Sequence, residues 1–306
     1  MICSCDEKKI KIPKKQKEKI RKIRSKFNNL TDINPQLLIK TVQINKKRIN
    51  VIQDAELIAG TKQRVAELFA QKIMDDKKIN KYSILTYTGT FNGYGAVATA
   101  FASKRLGLKS EVFLNMIPIG KPNKSSLYDI LKSRQINTLL ALEAKIYICP
   151  TYRSSKTKQY SKTDYNPLYY NIPMGVQDDD DIMATMLAIQ IRKALKGTKL
   201  EETINNNIVP RIWLVAGSGG IAKGINNAIR CEMFVYLTGG GRYLQQVKDY
   251  ISTQTNITIM NDKQVDNTVK TYYDTVQGYD DKIIPYVEKY GENGDFIWNV
   301  AGESMD

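Results

Sequence analysis

The chain has 306 residues, 42% of them hydrophobic, and a formal net charge of +15, enough for a buried core and two lobes. It contains no histidine, which excludes Ser-His-Asp and Cys-His catalysis and His-ligated metal sites, so proton transfer falls to Lys, Tyr, Asp, Glu or a cofactor. No apolar run reaches the roughly 18 residues of a membrane span, Met1-Ile2-Cys3-Ser4-Cys5 runs into lysines rather than a signal segment, and the four cysteines form no CxxC pair or disulfide ladder, so a cytoplasmic protein is expected.

Residues 1–50 carry 15 Lys/Arg against four Asp/Glu, a net of 15 − 4 = +11, so the other 256 residues hold +4. Residues 1–24 are expected to form a basic arm. Its dense part, residues 8–26, is either a solvated, partly helical face or a contact for nucleic acid or another polyanion. No aromatic interrupts Lys8 to Arg24 to stack on bases, which favours the solvated face.

After the arm, Leu37-Leu38-Ile39 and Ile49-Asn50-Val51-Ile52 read as short strands. Gly60 and Thr61 open a helix in which Val65, Leu68, Phe69 and Ile73 recur at helical spacing. Ser83 to Tyr87 is a strand, Gly89 to Gly95 a turn, Ala96 to Leu106 an Ala-rich helix and Glu111 to Met116 a strand, one βαβ unit that implies parallel pairing. A helix from Ser126 to about Asn137 and a strand at Lys145 to Cys149 repeat the pattern. Residues 151–171, polar and Tyr-rich, are expected to be an irregular crossing. Asp178-Asp179-Asp180-Asp181 precedes a helix to Leu195; consecutive acids cannot converge on one ion, so capping is preferred to a metal cluster.

Arg211 to Ala216 is a buried strand leading into Gly217-Ser218-Gly219-Gly220 and a helix to Ile229. Phe234 to Leu237 is a strand, Tyr243 to Ile251 and Tyr279 to Tyr290 are helices, and Phe296 to Val300 is a terminal strand. The fold class is therefore α/β, in two lobes with open, mostly parallel sheets. The boundaries expected are 25–68 with 170–306 for the large domain and 69–169 for the small one.

Strand, Gly217-Ser218-Gly219-Gly220 and helix together make a generic anion site. Glycines let the backbone approach a phosphate, and free helix amides meet its oxygens. A bare glycine turn remains the alternative. No GxGxxG and no GK[ST] is present there, which disfavours dinucleotides and triphosphates. Lys62 is either a surface lysine at a helix start or a functional amine. A helix N-terminus disfavours a cation and lowers the amine's proton affinity, as a Schiff-base lysine requires.

Ala59-Gly60-Thr61-Lys62-Gln63-Arg64 resembles the Gly-Asn-Lys-x-Arg segment of fold type II pyridoxal-phosphate enzymes. The likeness is greatest to the branch with 1-aminocyclopropane-1-carboxylate deaminase and D-cysteine desulfhydrase. Gly89 to Ala98 is similar to the branch's Gly-x-Ser-Asn-His-x-x-Ala-Val-Ala, Ile172 to Gly175 to its Pro-x-Gly-Gly turn, Trp213 to Gly224 to its phosphate cup, and Phe296 to Gly302 to its Trp-x-Thr-Gly-Gly strand. The matches run in order from about Val51 to Gly302.

The resemblance implies a tryptophan synthase β-like fold and pyridoxal 5′-phosphate as cofactor, bonded by Lys62. Asn92 would meet the cofactor's 3′-oxygen, Gly217, Ser218, Gly219 and Gly220 its phosphate, and Gln277 its pyridine ring. It also implies a homodimer and a lyase or deaminase reaction on a small amino acid. Phe91 stands where the branch has a substrate-contacting serine, Gly93 replaces the histidine, Ile221 follows the glycines, and Asn299 to Gly302 lacks the threonine. The alternative is a catalytically degenerate member of the fold that binds nucleic acid or an acidic assembly through its basic arm.

Overall fold

The computed structural model describes all residues except 5–8, 78–81, 92, 117–126, 165, 174–180, 239–240, 262–271, 276–278 and 303–306. The chain folds as two compact units, one of residues 1–33 with 65–178, the other of residues 34–64 with 179–306. The expected small domain of 69–169 thus also takes in the N-terminus and residues 65–68 and 170–178.

The first unit has a five-stranded parallel sheet in the order β1-β6-β5-β4-β7. Its strands are β1 (Ile2–Ser4), β4 (Ile84–Thr90), β5 (Lys109–Asn115), β6 (Lys145–Cys149) and β7 (Tyr169–Asn171). Helix α3 (Tyr94–Arg105), rich in alanine and buried over most of its length, joins β4 to β5. Helices α4 (Leu127–Lys132) and α5 (Arg134–Ala141) precede β6. Both strand pairings of this βαβ region are parallel, as the alternation predicts.

Two expectations fail here. The N-terminal residues are not a separate arm. Strand β1 extends the sheet by pairing with β6, Ile2 opposite Ile146, and helix α1 (Lys14–Asn28) buries Gln16, Ile23 and Phe27. Phe27 meets Phe101 of α3 edge-on at 5.5 Å. One narrow stripe on a lysine-rich helix suffices for packing, while the lysines keep the rest of its surface wet. Residues 151–171 are not an irregular crossing either. A reciprocal cap between Thr151 and Ser154 starts α6 (Tyr152–Thr163), followed by β7. Cys3 is a buried free thiol and Cys149 is disulfide-bonded, which departs from a set of reduced thiols.

The second unit has a six-stranded sheet in the order β10-β9-β8-β11-β3-β2. These are β2 (Ile39–Ile44), β3 (Lys47–Ile52), β8 (Arg211–Ala216), β9 (Glu232–Leu237), β10 (Ile257–Met260) and β11 (Phe296–Trp298). Only β2 runs antiparallel to its neighbour. It pairs with β3 through Asn45 and Lys46, both at positive φ, the conformation that two-residue hairpins need to match the strand twist. Strands β4 and β8 lie in different sheets, as two lobes require.

Around this sheet lie α7 (Ile182–Ala194), α8 (Lys199–Asn205), α9 (Gly220–Ala228), α10 (Gly241–Ser252) and α11 (Ile284–Tyr290). The core joins Ile49, Val51, Trp213, Val215, Ile284, Val287 and Ile297. Trp213 stacks on Phe234 at 4.3 Å and donates its indole N–H to Asp295 at 2.7 Å. Asp181 does not cap α7 with its side chain. Its carboxylate instead accepts from Lys223 Nζ at 2.7 and 3.0 Å. Among the described residues no helix is long and apolar enough to cross a membrane.

Candidate active site

In the second unit, β3, β11 and β8 are adjacent and mutually parallel, so their C-terminal ends share one edge of the sheet. That edge is where open α/β sheets place ligand sites. From β3 the chain leads through two 3-10 turns, Asp54–Glu56 and Gly60–Lys62, into α2 (Gln63–Lys77). From β8 it leads into Gly217 to Gly220 and α9. Strand β11 lies between them, so β3 and β8 are separated by two strand spacings, about 10 Å. The segments carrying Lys62 and the glycine loop, about 155 residues apart in sequence, thus leave the same edge of the sheet on either side of β11.

Every residue flanking Lys62 is fixed by a specific contact. Gly60 has φ +60°, and a Cβ there would overlap the Val300 carbonyl oxygen, so only glycine lets the turn approach the end of β11. The Thr61 amide donates to that same carbonyl at 3.0 Å, and its hydroxyl accepts from Trp298 Nε1 at 3.1 Å. The Gln63 side-chain oxygen accepts from the Ile58 amide at 2.9 Å. Arg64 is buried with Asp54, Nη2 donating to Oδ1 at 2.6 Å and Nε reaching both oxygens at 3.1 and 3.2 Å. Its other terminal nitrogen donates to Asn34 Oδ1 at 2.8 Å and to the Pro35 carbonyl at 2.6 Å.

Lys62 itself is half-buried. Desolvation pulls its amine down from 10.5 to about 8, and the nearby Asp280 opposes that drop. Near neutral pH a usable fraction of this amine is therefore uncharged, which nucleophilic and base chemistry require.

The glycine loop meets α9 without a cap. Gly219 occupies the N-cap position at φ +85° and no side chain bonds the helix start. Among the described residues no backbone acceptor meets the amides of Ser218, Gly219 or Gly220. A Cβ at Gly217 would lie 2.8 Å from the Tyr279 hydroxyl, and one at Gly219 would lie 2.7 Å from Val247 Cγ2. Close packing thus dictates these glycines, while their amides stay available to an anion.

Tyr279 and Asp280, consecutive residues, connect the two halves. The Tyr279 phenol sits against Gly217, while Asp280 couples to Lys62. Among the described residues, six buried oxygens of this segment and of the end of β11 have no hydrogen-bond partner: Tyr273 Oη, Thr275 Oγ1, both oxygens of Asp280, Asp281 Oδ1 and Asn299 Oδ1. Orphaned buried oxygens are costly unless something else meets them. Gly302 belongs here too, because a Cβ would overlap the Asp274 carboxylate. Tyr279 and Asp280 had a sequence signal, adjacent acids interrupting an otherwise apolar helical stretch, but it reads equally as a solvated helix start.

Asn92 and Gln277 lie outside the described residues. In the first unit Phe91 and Gly93 flank the former, with the Gly93 amide donating to the Thr90 carbonyl at 3.1 Å before α3 begins. In the second unit Asp274 precedes the latter, and Asn299 Nδ2 donates to the Asp274 carbonyl at 2.6 Å.

No protein-family model matches the chain, and no curated protein is significantly similar to it in sequence. Solved structures are similar in fold over nearly the whole chain. An ACC deaminase homologue shares it with a TM-score of 0.56 at 16% identity, over 93% of this chain and 94% of that one. Diaminopropionate ammonia lyase of Escherichia coli does so with 0.55 at 11% identity, over 96% and 90%. A hydrogen sulfide-producing enzyme of Fusobacterium nucleatum gives 0.56 at 12% identity, over 90% and 99%. At these identities the likeness is one of fold, and the chain shares the α/β fold of these neighbours over nearly its whole length.

Proposed function

We propose that this chain is a pyridoxal-phosphate-dependent lyase or deaminase acting on a small amino acid, with Lys62 as the residue that bonds the cofactor. The observation that carries this reading is the placing of a closely mounted, desolvated Lys62 and an uncapped glycine loop on one sheet edge, either side of β11. The residues fit the group chemically: an amine of low proton affinity suits an aldehyde, and partnerless amides at a helix N-terminus suit a phosphate. The cofactor, when bound, supplies an electron sink for negative charge at a substrate α-carbon.

This chain's residues then divide the work. The amides of Gly217 to Gly220 and the Ser218 hydroxyl would hold the cofactor's phosphate, aided by the positive end of α9. Tyr279, packed on Gly217, closes one side of that cradle. Lys62 would serve as the base at the substrate α-carbon, since its lowered proton affinity matches general-base work near neutral pH. Gly60, Thr61 and Arg64 keep its stem from wandering, so the amine is presented in one place. Asn92 at the 3′-oxygen and Gln277 at the ring remain assignments by resemblance. Gln277, a neutral amide, would stabilise a protonated ring nitrogen less than a carboxylate would, which favours elimination from a β-substituted amino acid over reactions that need the strongest electron sink.

The test is reduction with borohydride after incubation with pyridoxal phosphate, followed by peptide mapping. The cofactor mass is expected on the peptide containing Lys62, and Lys62→Ala should abolish it. Label spread over surface lysines, or its absence, would overturn the assignment.

A further inference from the structure

Helix α1 is the part of the fold that the reaction outlined above leaves without a task. Over Lys14–Asn28 it carries six lysines, two arginines and one acid, Glu18, and all eight cations are exposed. Helical spacing sorts them into two rows. Lys15, Lys19, Lys22 and Lys26 form one row, and Lys14, Lys17, Arg21 and Arg24 the other. The buried Gln16, Ile23 and Phe27 hold the side between the rows that faces the protein. Glu18 and Ser25 lie between the rows on the outer side.

Folding does not call for this pattern. The first turn contains no acid, so Lys14 and Lys15 oppose the helix dipole, and like charges one turn apart repel along both rows. Arg24 reaches Glu143 at 4.0 Å and the Ala141 carbonyl at 3.3 Å, but Glu143 also accepts from Lys104 of α3. Among the described residues no acid pairs with Lys14, Lys15, Lys17, Lys19, Arg21 or Lys22. The face is nonetheless fixed to the fold, because Phe27 packs on Phe101.

We propose that the outer face of α1 binds duplex nucleic acid through its phosphates, without reading base sequence. Charge complementarity carries the assignment. The helix is a rod about 22 Å long, and a duplex offers one phosphate charge per about 1.7 Å of its axis. Cations on both flanks of a ridge about 10 Å across match the two phosphate strands that border a groove. Other polyanions fit less well. A helix that lies on a membrane turns an apolar side to lipid, whereas the apolar side of α1 is buried in the protein. Single strands are held by stacking on aromatics, and the exposed face of α1 has none. This surface is independent of the cofactor reading, since α1 belongs to the first unit and Lys62 to the second.

The test is fluorescence polarisation of the full chain with a fluorescein-labelled duplex of about 20 base pairs and mixed sequence, read across salt concentration. A plot of log Kd against log salt should rise with a slope of about 4, as expected when four or five phosphates are neutralised. Replacing Lys15, Lys19 and Lys22 together by glutamine should lower that slope by about 3 and weaken binding at least about tenfold at about 0.1 M salt. The loss should be the same on duplexes of unrelated sequence, and arginine at the same three positions should restore binding. Glutamine at Lys193, Lys196 and Lys248, which are also exposed but belong to the second unit, is the control and should leave binding unchanged.

The three lysines of α1 are exposed, so the glutamine variant should melt with the wild type. A glutamine variant that binds as the wild type does, or a wild type without salt-dependent binding, overturns the proposal. So does tighter binding, at equal salt, to a single strand of the same length, to phosphatidylserine vesicles or to polyglutamate, each of which assigns the face to a different partner.

Discussion

Asp54→Ala tests whether the mount of Lys62 is held by its buried ion pair. Asp54 and Arg64 are each 1% exposed by side chain, so the substitution leaves a guanidinium buried without its counter-charge. Breaking such a pair from one side costs about 3–5 kcal/mol. Arg64 keeps two neutral acceptors, Asn34 Oδ1 and the Pro35 carbonyl, and Trp298 Nε1 keeps the Thr61 hydroxyl after losing Asp54 Oδ2. These push the expectation to the low end, about 3 kcal/mol. The exposed pair of Lys40 and Glu56, at 2.5 Å and about half exposed on both sides, is the control, and Glu56→Ala should cost less than about 1 kcal/mol.

The assay is urea unfolding followed by tryptophan fluorescence, which reports the second unit because both tryptophans, Trp213 and Trp298, belong to it. Adding Arg64→Met to Asp54→Ala should recover much of the loss, since the stranded charge is then gone. A cost for Asp54→Ala no larger than that of Glu56→Ala would refute the mount.

Three further outcomes follow from the same geometry. Lys62→Met should stabilise the second unit at pH 7. The fall from 10.5 to about 8 means wild-type stability is full above 10.5 and declines as pH drops through 8, on the order of 3 kcal/mol in all; a variant less stable than wild type in pH-resolved urea titrations would contradict this. Gly60→Ala forces an L side chain into positive φ and against the Val300 carbonyl, so a loss of about 2 kcal/mol or more is expected, and a melting temperature equal to the wild type's would show that the turn can relax. Deleting residues 1–28 removes an edge strand and the buried Ile2, Ile23 and Phe27. It should lower the thermal transition of the first unit and expose apolar surface to a dye such as ANS, whereas an unchanged transition would restore the separable arm.

Local periodicity in the sequence determined the α/β class and the parallel pairing of β4, β5 and β6, because apolar runs bounded by Gly and joined by an alanine helix admit little else. The Gly60 turn and the glycine turn after β8 were also legible, since a glycine at a tight turn leaves a mark that needs no partner to be read. Other features depended on residues far apart. The basic N-terminus hides a three-residue strand whose partner is more than 140 residues away, and charge density outweighs so short an apolar signal. Helix α6 has almost no apolar face, and its start is set by a Thr-Ser cap. Asp280 reads as a solvated acid, yet the fold buries it with neither oxygen partnered among the described residues. Burial arises only when distant strands share one sheet edge, so the sequence can propose the lysine while tertiary packing alone sets its proton affinity.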